Sequence, residues 1–220
     1  MNPLFDDICP PIEGELIPLH ERAYVVRAYR RSPDALVLRG AVRDQKPPGL
    51  YIADDPDVIT VHHMIVDLTI VIPSMEITEA NVVIEVHPDP ACPTITARYD
   101  QLVGLSIARG FTHRIRELFG GPRGCSHTTA LLQAMGPVAM QSIWSFRVAE
   151  SRGLGLSVRP PAGEEERQRM VARNLNTCHI WAEGGEHAAA VLSGTVSSIP
   201  IPFARRLEAL GRDVTEWAPD

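Results

Sequence analysis

Four short stretches place thiol or imidazole groups where they could do chemistry: His62-His63, Cys92, Cys125-Ser126-His127 and Cys178-His179. The third has the clearest physical setting. Gly120, Gly121, Pro122 and Gly124 do not belong inside a helix, whereas residues 128–146 are rich in Leu, Ala, Met and Gln, so Cys125 falls near a helix start. Unpaired amides and the positive end of the helix dipole favour a thiolate there, and His127 can pair with that thiolate or share a metal with it. Cys125 is then a ligand, or a nucleophile with His127 or His179 as its base. The bland alternative is that Ser126 or Thr128 caps the helix and Cys125 is a small buried residue.

Zinc or iron needs three or four such groups converging from different elements, because they must point inward at fixed distances. No cysteine pair has the tight C-x-x-C spacing of a zinc knuckle, so any metal site must be assembled by the fold. Taken singly, a histidine is more often a hydrogen-bonded or surface residue than a ligand; the company of cysteines at element boundaries raises the metal reading. For Cys178-His179 the neighbours Ile180 and Trp181 suggest a core strand, with the pair packed or standing behind the ligands.

The elements that must position these groups follow from periodicity. Residues 1–21, with Pro3, Pro10, Pro11 and Pro18, read as an extended arm. Residues 22–31 and 35–44 are expected to form a hairpin around Ser32-Pro33-Asp34, with Leu36, Leu38 and Val42 alternating against Arg39 and Arg43. Period two is plainest in residues 58–72, where His62 shares a face with Met64, Val66, Leu68 and Ile70 and His63 lies on the other; residues 77–86 add another strand. Helical segments are expected at 96–105, 112–119 and about 128–146, the last kinked at Gly136-Pro137. A charged helix at 164–175 follows a loop around Pro160-Pro161, and a last helix near 202–210 leads to an acidic tail. The expected class is α+β: an antiparallel β-meander of four or more strands packed by helices from the C-terminal half. Residues 22–200 are expected to form one domain, with 201–220 a helix and tail.

Composition narrows the function. The 220 residues are 45% hydrophobic and 22% charged with a formal net charge of -6, and no Lys/Arg run interrupts them, so nucleic acid is not an expected partner. No signal-peptide pattern or membrane span is legible, and four scattered cysteines do not suggest a disulfide framework; a cytoplasmic protein with reduced thiols is expected. G-x-S-x-G, H-E-x-x-H, P-loop and Rossmann fingerprints are all missing.

Residues 62–104, the pair Gly110-Phe111, the block Gly120-Gly121-Pro122-Arg123-Gly124-Cys125-Ser126-His127-Thr128-Thr129 and the run Asn176-Thr177-Cys178-His179-Ile180-Trp181 together resemble a bacterial family catalogued as a domain of unknown function. The likeness covers about residues 20–182, and its distinguishing feature is a Gly-Cys-[Ser/Thr]-His block. Members usually read His-Asp-Met where this chain has His62-His63-Met64, so His62 is the matching position. The family carries no activity with it.

A second resemblance is to the U-type iron-sulfur scaffold proteins, in which a small antiparallel sheet precedes helices. It implies His62 at the position of their metal-binding Asp, Cys92 at their Cys before the first helix and Cys125 at their last ligand, with His127 as a local fourth. Thr60 and Gly124 depart from that pattern. The implied set, His62, Cys92, Cys125 and His127, would hold zinc or iron, with His63, Cys178 and His179 as alternatives. Three functions stay open: a metal or iron-sulfur protein with a scaffold, carrier or structural role; a metal-dependent or cysteine-nucleophile enzyme acting on a small molecule; and a metal-free interaction protein.

Overall fold

The computed structural model describes residues 8–108, 110–153, 163–195 and 200–213. The first seven residues, the loop around Pro160-Pro161 and the acidic tail lie outside them. The chain divides into two compact units, Met1–Phe146 and Arg147–Asp220.

The first unit is built on a four-stranded antiparallel meander in the order β1 (Glu21–Ser32), β2 (Ala35–Lys46), β3 (Ile59–Val71), β4 (Glu76–Val86). Alternation sets its inner face. Leu36, Leu38, Gly40, Val42 and Asp44 of β2 are buried, as are Met64, Val66, Leu68 and Ile70 of β3 and Ile77 and Ile84 of β4. The expected hairpin and the period-two strand are present, and so is the expected α+β class.

After β4 the chain runs through 3-10 turns over Cys92–Leu102, which bury Tyr99 and Leu102. The next segment returns to the edge of the sheet: Gly104 donates to the Ile77 carbonyl and Ile107 to that of Met75. Helix α1 (Phe111–Phe119) buries Phe111, Ile115 and Phe119, a stripe spaced by four residues. Helix α2 (Ser126–Gly153) continues through Pro137. It lays Leu131, Leu132, Met135, Ala139 and Phe146 into the same core as the inner strand face.

Gly40 makes this packing close. A Cβ there would come within 2.8 Å of Met135 Sδ and 3.1 Å of Leu131 Cδ1. The middle of β2 therefore has no side chain where α2 crosses it, and the helix N-terminus is carried over the end of the strand.

In the second unit, α3 (Glu164–Asn174) and α4 (Glu186–Ser193) share a small core of Val171, Ala188 and Val191, with Met170, Leu175 and Trp181 packed against it. Helix α5 (Ile201–Ala209) follows. Ile180 and Trp181 do not form the strand their composition suggests. They lie in a 3-10 turn, His179–Trp181, with Ile180 exposed. The reason is Asn176, whose left-handed φ of 59° turns the chain back. Its amide donates to the Trp181 carbonyl and its side-chain oxygen accepts from the Glu183 amide, closing a loop.

Candidate metal centre

The site begins as a row across three strands. Arg22 of β1 is the register partner of Asp44 on β2, and Asp44 is the partner of His62 on β3. All three belong to the inner face, at the end of the sheet where the aliphatic stripe of β2 gives way to a carboxylate. Asp44 is 1% exposed. A charge this deep needs compensation, and Arg22 supplies it bidentately: Nε donates to Oδ1 and Nη2 to Oδ2, both at 2.6 Å. Burial by itself would raise the Asp44 pKa; the bonds and charge of Arg22, with smaller help from His127 and His20, outweigh it and lower the value to about 2. The same bonds to Asp44 push the Arg22 pKa up, against the opposing effect of burial.

His127 arrives from the other side, on the first turn of α2. Its Nε2 lies 3.0 Å from Asp44 Oδ2, and Nδ1 of His62 lies 3.3 Å from that same oxygen. The two imidazoles stack, with centroids 3.9 Å apart and planes inclined by 26°. Burial pushes the His127 pKa down, and the neighbouring His62 and Arg22 add to this against the pull of Asp44, which favours the neutral ring. Despite its short distance to Asp44, His62 Nδ1 is out of hydrogen-bond alignment. It is a buried nitrogen with no hydrogen-bond partner.

The block around Cys125 is explained by what it fastens. Gly124 has no room for a side chain, since a Cβ would come within 2.6 Å of the Phe119 carbonyl oxygen. Arg123 Nε donates to the carbonyl of Glu117 and its Nη2 to that of Arg116, tying the loop to the end of α1. Thr129 Oγ1 donates to the Phe119 carbonyl, and the Cys125 amide donates to the buried Tyr99 hydroxyl at 2.9 Å. Burial raises the pKa of that phenol, partly offset by the Cys125 amide. The loop and the helix start are thereby locked, which aims His127 at Asp44. Cys125 Sγ lies 3.8 Å from His127 Nδ1, the ring nitrogen that faces away from the carboxylate.

Of the residues singled out by sequence, His62 and His127 are thus brought together, and Cys125 stands behind His127. Cys92 is placed elsewhere: it packs against the hydrophobic core from the start of the 3-10 segment. His63 points to the opposite face of the sheet, with Nδ1 2.7 Å from Glu85 Oε2. Cys178 and His179 belong to the second unit, where both are exposed.

Sequence reasoning passed over Asp44, Arg22 and His20, whose Nε2 lies 3.6 Å from Asp44 Oδ1. A signal for Asp44 was available. It shares parity with Leu36, Leu38 and Val42, and a carboxylate that continues an apolar strand face requires a partner.

Asp44, His62 and His127 each offer one ligand atom, and these atoms lie within 4.8 Å of one another; among the described residues this is the group of three or more such side chains close enough to hold one ion. With metal bonds of about 2.0–2.2 Å, neighbouring donors around one ion stand about 3.0–3.5 Å apart. The 3.3 Å separation of His62 Nδ1 from Asp44 Oδ2 falls in that range, as does the 3.0 Å of His127 Nε2, which is also a hydrogen-bond distance. The unpartnered His62 nitrogen is the second sign of fit.

The model of the family described as protein of unknown function (DUF2889) matches residues 20–141, more than half of the chain, and the protein belongs to that family. The matched span contains Arg22, Asp44, His62, Cys125 and His127 as well as His20. No curated protein and no solved structure matches the chain. Among the described residues no helix is long and apolar enough to cross a membrane.

Proposed function

We propose that this protein is a mononuclear metal protein that holds zinc or iron on Asp44, His62 and His127 and uses the ion's remaining positions on a small molecule. The observation that carries the reading is the buried Nδ1 of His62, without a hydrogen-bond partner and 3.3 Å from the same carboxylate oxygen that His127 Nε2 approaches at 3.0 Å, on a carboxylate already fixed by Arg22. Two imidazoles and one carboxylate are a donor set for zinc or for non-haem iron. The position of Cys92 against the core speaks for nitrogen and oxygen ligation over the thiolate set of an iron-sulfur scaffold. Three protein ligands rather than four favour an open, reactive centre over a closed structural one, and a bound ion would act as a Lewis acid or lower the pKa of a coordinated water.

The test is metal analysis of the full chain purified under reducing, anaerobic conditions. One zinc or iron per chain is expected, falling below about a tenth of that in His62→Ala, His127→Ala and Asp44→Asn. Wild-type protein that takes up no zinc or iron, or His62→Ala protein that loads like wild type, would overturn the assignment.

A second reading is favoured by one distance. Cys125 Sγ, His127 and Asp44 form a chain of 3.8 and 3.0 Å through the two nitrogens of one imidazole, the order of nucleophile, base and orienting carboxylate. On that reading the metal-free protein forms a covalent adduct at Cys125 with an activated acyl substrate, and Asp44→Asn slows adduct formation. On the metal reading Cys125→Ser keeps the metal with weakened affinity.

A further inference from the structure

We infer that the exogenous ligand of this centre is anionic: a small carboxylate that chelates the ion through a second oxygen. The inference deepens the metal reading and rests on it. Three features of the surroundings point the same way.

The first is charge. Asp44 is the one carboxylate of the donor group, and both its oxygens already accept bonds from Arg22. A dication added to two imidazoles and a carboxylate neutralised by a guanidinium leaves the site strongly positive, within a chain whose formal net charge is -6. His20, close to the other oxygen of Asp44, brings no negative charge to offset this.

The second is the helix. His127 stands on the first turn of a 28-residue α2 that has no acidic side chain in that turn. The helix's own first turn therefore sets no carboxylate against the positive end of its dipole, and the one nearby, Asp44, is already bound by Arg22, so the helix start still favours an incoming anion.

The third is access and vacancy of donors. The side chains of His62 and His127 are 23% and 14% exposed while that of Asp44 is 2% exposed, so the imidazole rings, though not the buried His62 Nδ1 itself, are the part of the donor set nearest solvent. Three donors on one ion leave further positions on a four- to six-coordinate metal. Two adjacent positions suit a ligand with two oxygens, such as a 1,2-dicarboxylate or a carboxylate with a neighbouring oxo or hydroxyl group.

The experiment uses the full-length protein loaded with cobalt(II), whose visible absorption reports its ligands. Sodium oxalate, sodium acetate and inorganic phosphate are titrated separately, and metal retention is measured after desalting. Oxalate is expected to change the spectrum saturably, at a concentration at least tenfold below that needed for acetate, with the cobalt retained. No spectral response to oxalate, removal of cobalt by it, or a response to phosphate at lower concentration would each overturn the carboxylate assignment. Failure of the wild-type chain to bind cobalt would instead overturn the metal centre itself, and this inference with it. His62→Ala run in parallel shows whether the response belongs to the site: an oxalate response that survives without bound cobalt also counts against it.

Discussion

Arg22 and Asp44 face each other across β1 and β2 and are joined by two parallel bonds of 2.6 Å, at the end of a sheet face whose middle is aliphatic. This pair contributes an acid-sensitive part of the stability of the metal-free protein. The Asp44 pKa is lowered from 3.8 to about 2 in the folded state, so its contribution is fully present well above pH 3.8 and is lost as pH falls through 3.8 toward 2. The loss should be about 2 kcal/mol. Arg22→Met, which leaves a buried carboxylate without its partner, should be less stable than wild type by a similar amount at pH 6, and the difference should shrink at pH 2.5. Urea unfolding at both pH values checks this; a difference that does not change with pH would show that the ion pair is not its source.

His62 and His63 are neighbours in sequence on opposite faces of β3, which makes them an internal control. His62→Ala should weaken zinc binding by at least 100-fold, and His63→Ala, which removes only an outer-face contact with Glu85, should leave it within about twofold. Cys125→Ser keeps a hydrogen-bonding group against His127 Nδ1 and should weaken binding by about tenfold, the range of residues that orient a ligand from behind. Competition with a chromophoric chelator measures all three. Equal effects at His62 and His63 would place the metal somewhere else.

Gly40 decides how near α2 comes to the sheet. Gly40→Ala puts a Cβ within 2.8 Å of Met135 Sδ in a fully buried contact, so the methionine or the helix must move. Overpacking of this kind costs about 1–3 kcal/mol. Because His127 rides on the same helix, zinc affinity should fall along with the urea midpoint, although residue 40 touches no ligand. Gly40→Ala combined with Met135→Ala should recover part of the affinity; no recovery would mean that the helix position does not set the site.

Tyr99 holds the start of α2 through the Cys125 amide. Tyr99→Phe leaves that amide without its acceptor and should cost about 1–3 kcal/mol. Gly124→Ala should cost at least as much, because the atom it meets at 2.6 Å is the backbone oxygen of Phe119, which cannot rotate away. Thermal unfolding of the two variants tests the order; a Gly124→Ala variant as stable as wild type would contradict the close packing of the loop on α1.

The sequence by itself determined the local elements and the faces of the strands. The alternation that runs through His62, Met64, Val66 and Leu68 separates His62 from His63 without any knowledge of partners, because side-chain direction along a strand has a period of two. The glycines and proline before Cys125 likewise announce a helix start, since the propensities involved act within one turn. What only the tertiary structure decided is which of these groups meet. Asp44 and His127 are 83 residues apart, and they touch because Gly40 admits α2 onto β2 while Tyr99 and the Phe119 carbonyl fix the helix start. Cys92 shows the converse: its chemistry suits a ligand, yet the 3-10 segment after β4 packs it against the core. Periodicity reports the face on which a residue lies, whereas convergence depends on how a helix is seated on a sheet, and that is set by long-range packing that no short window of sequence contains.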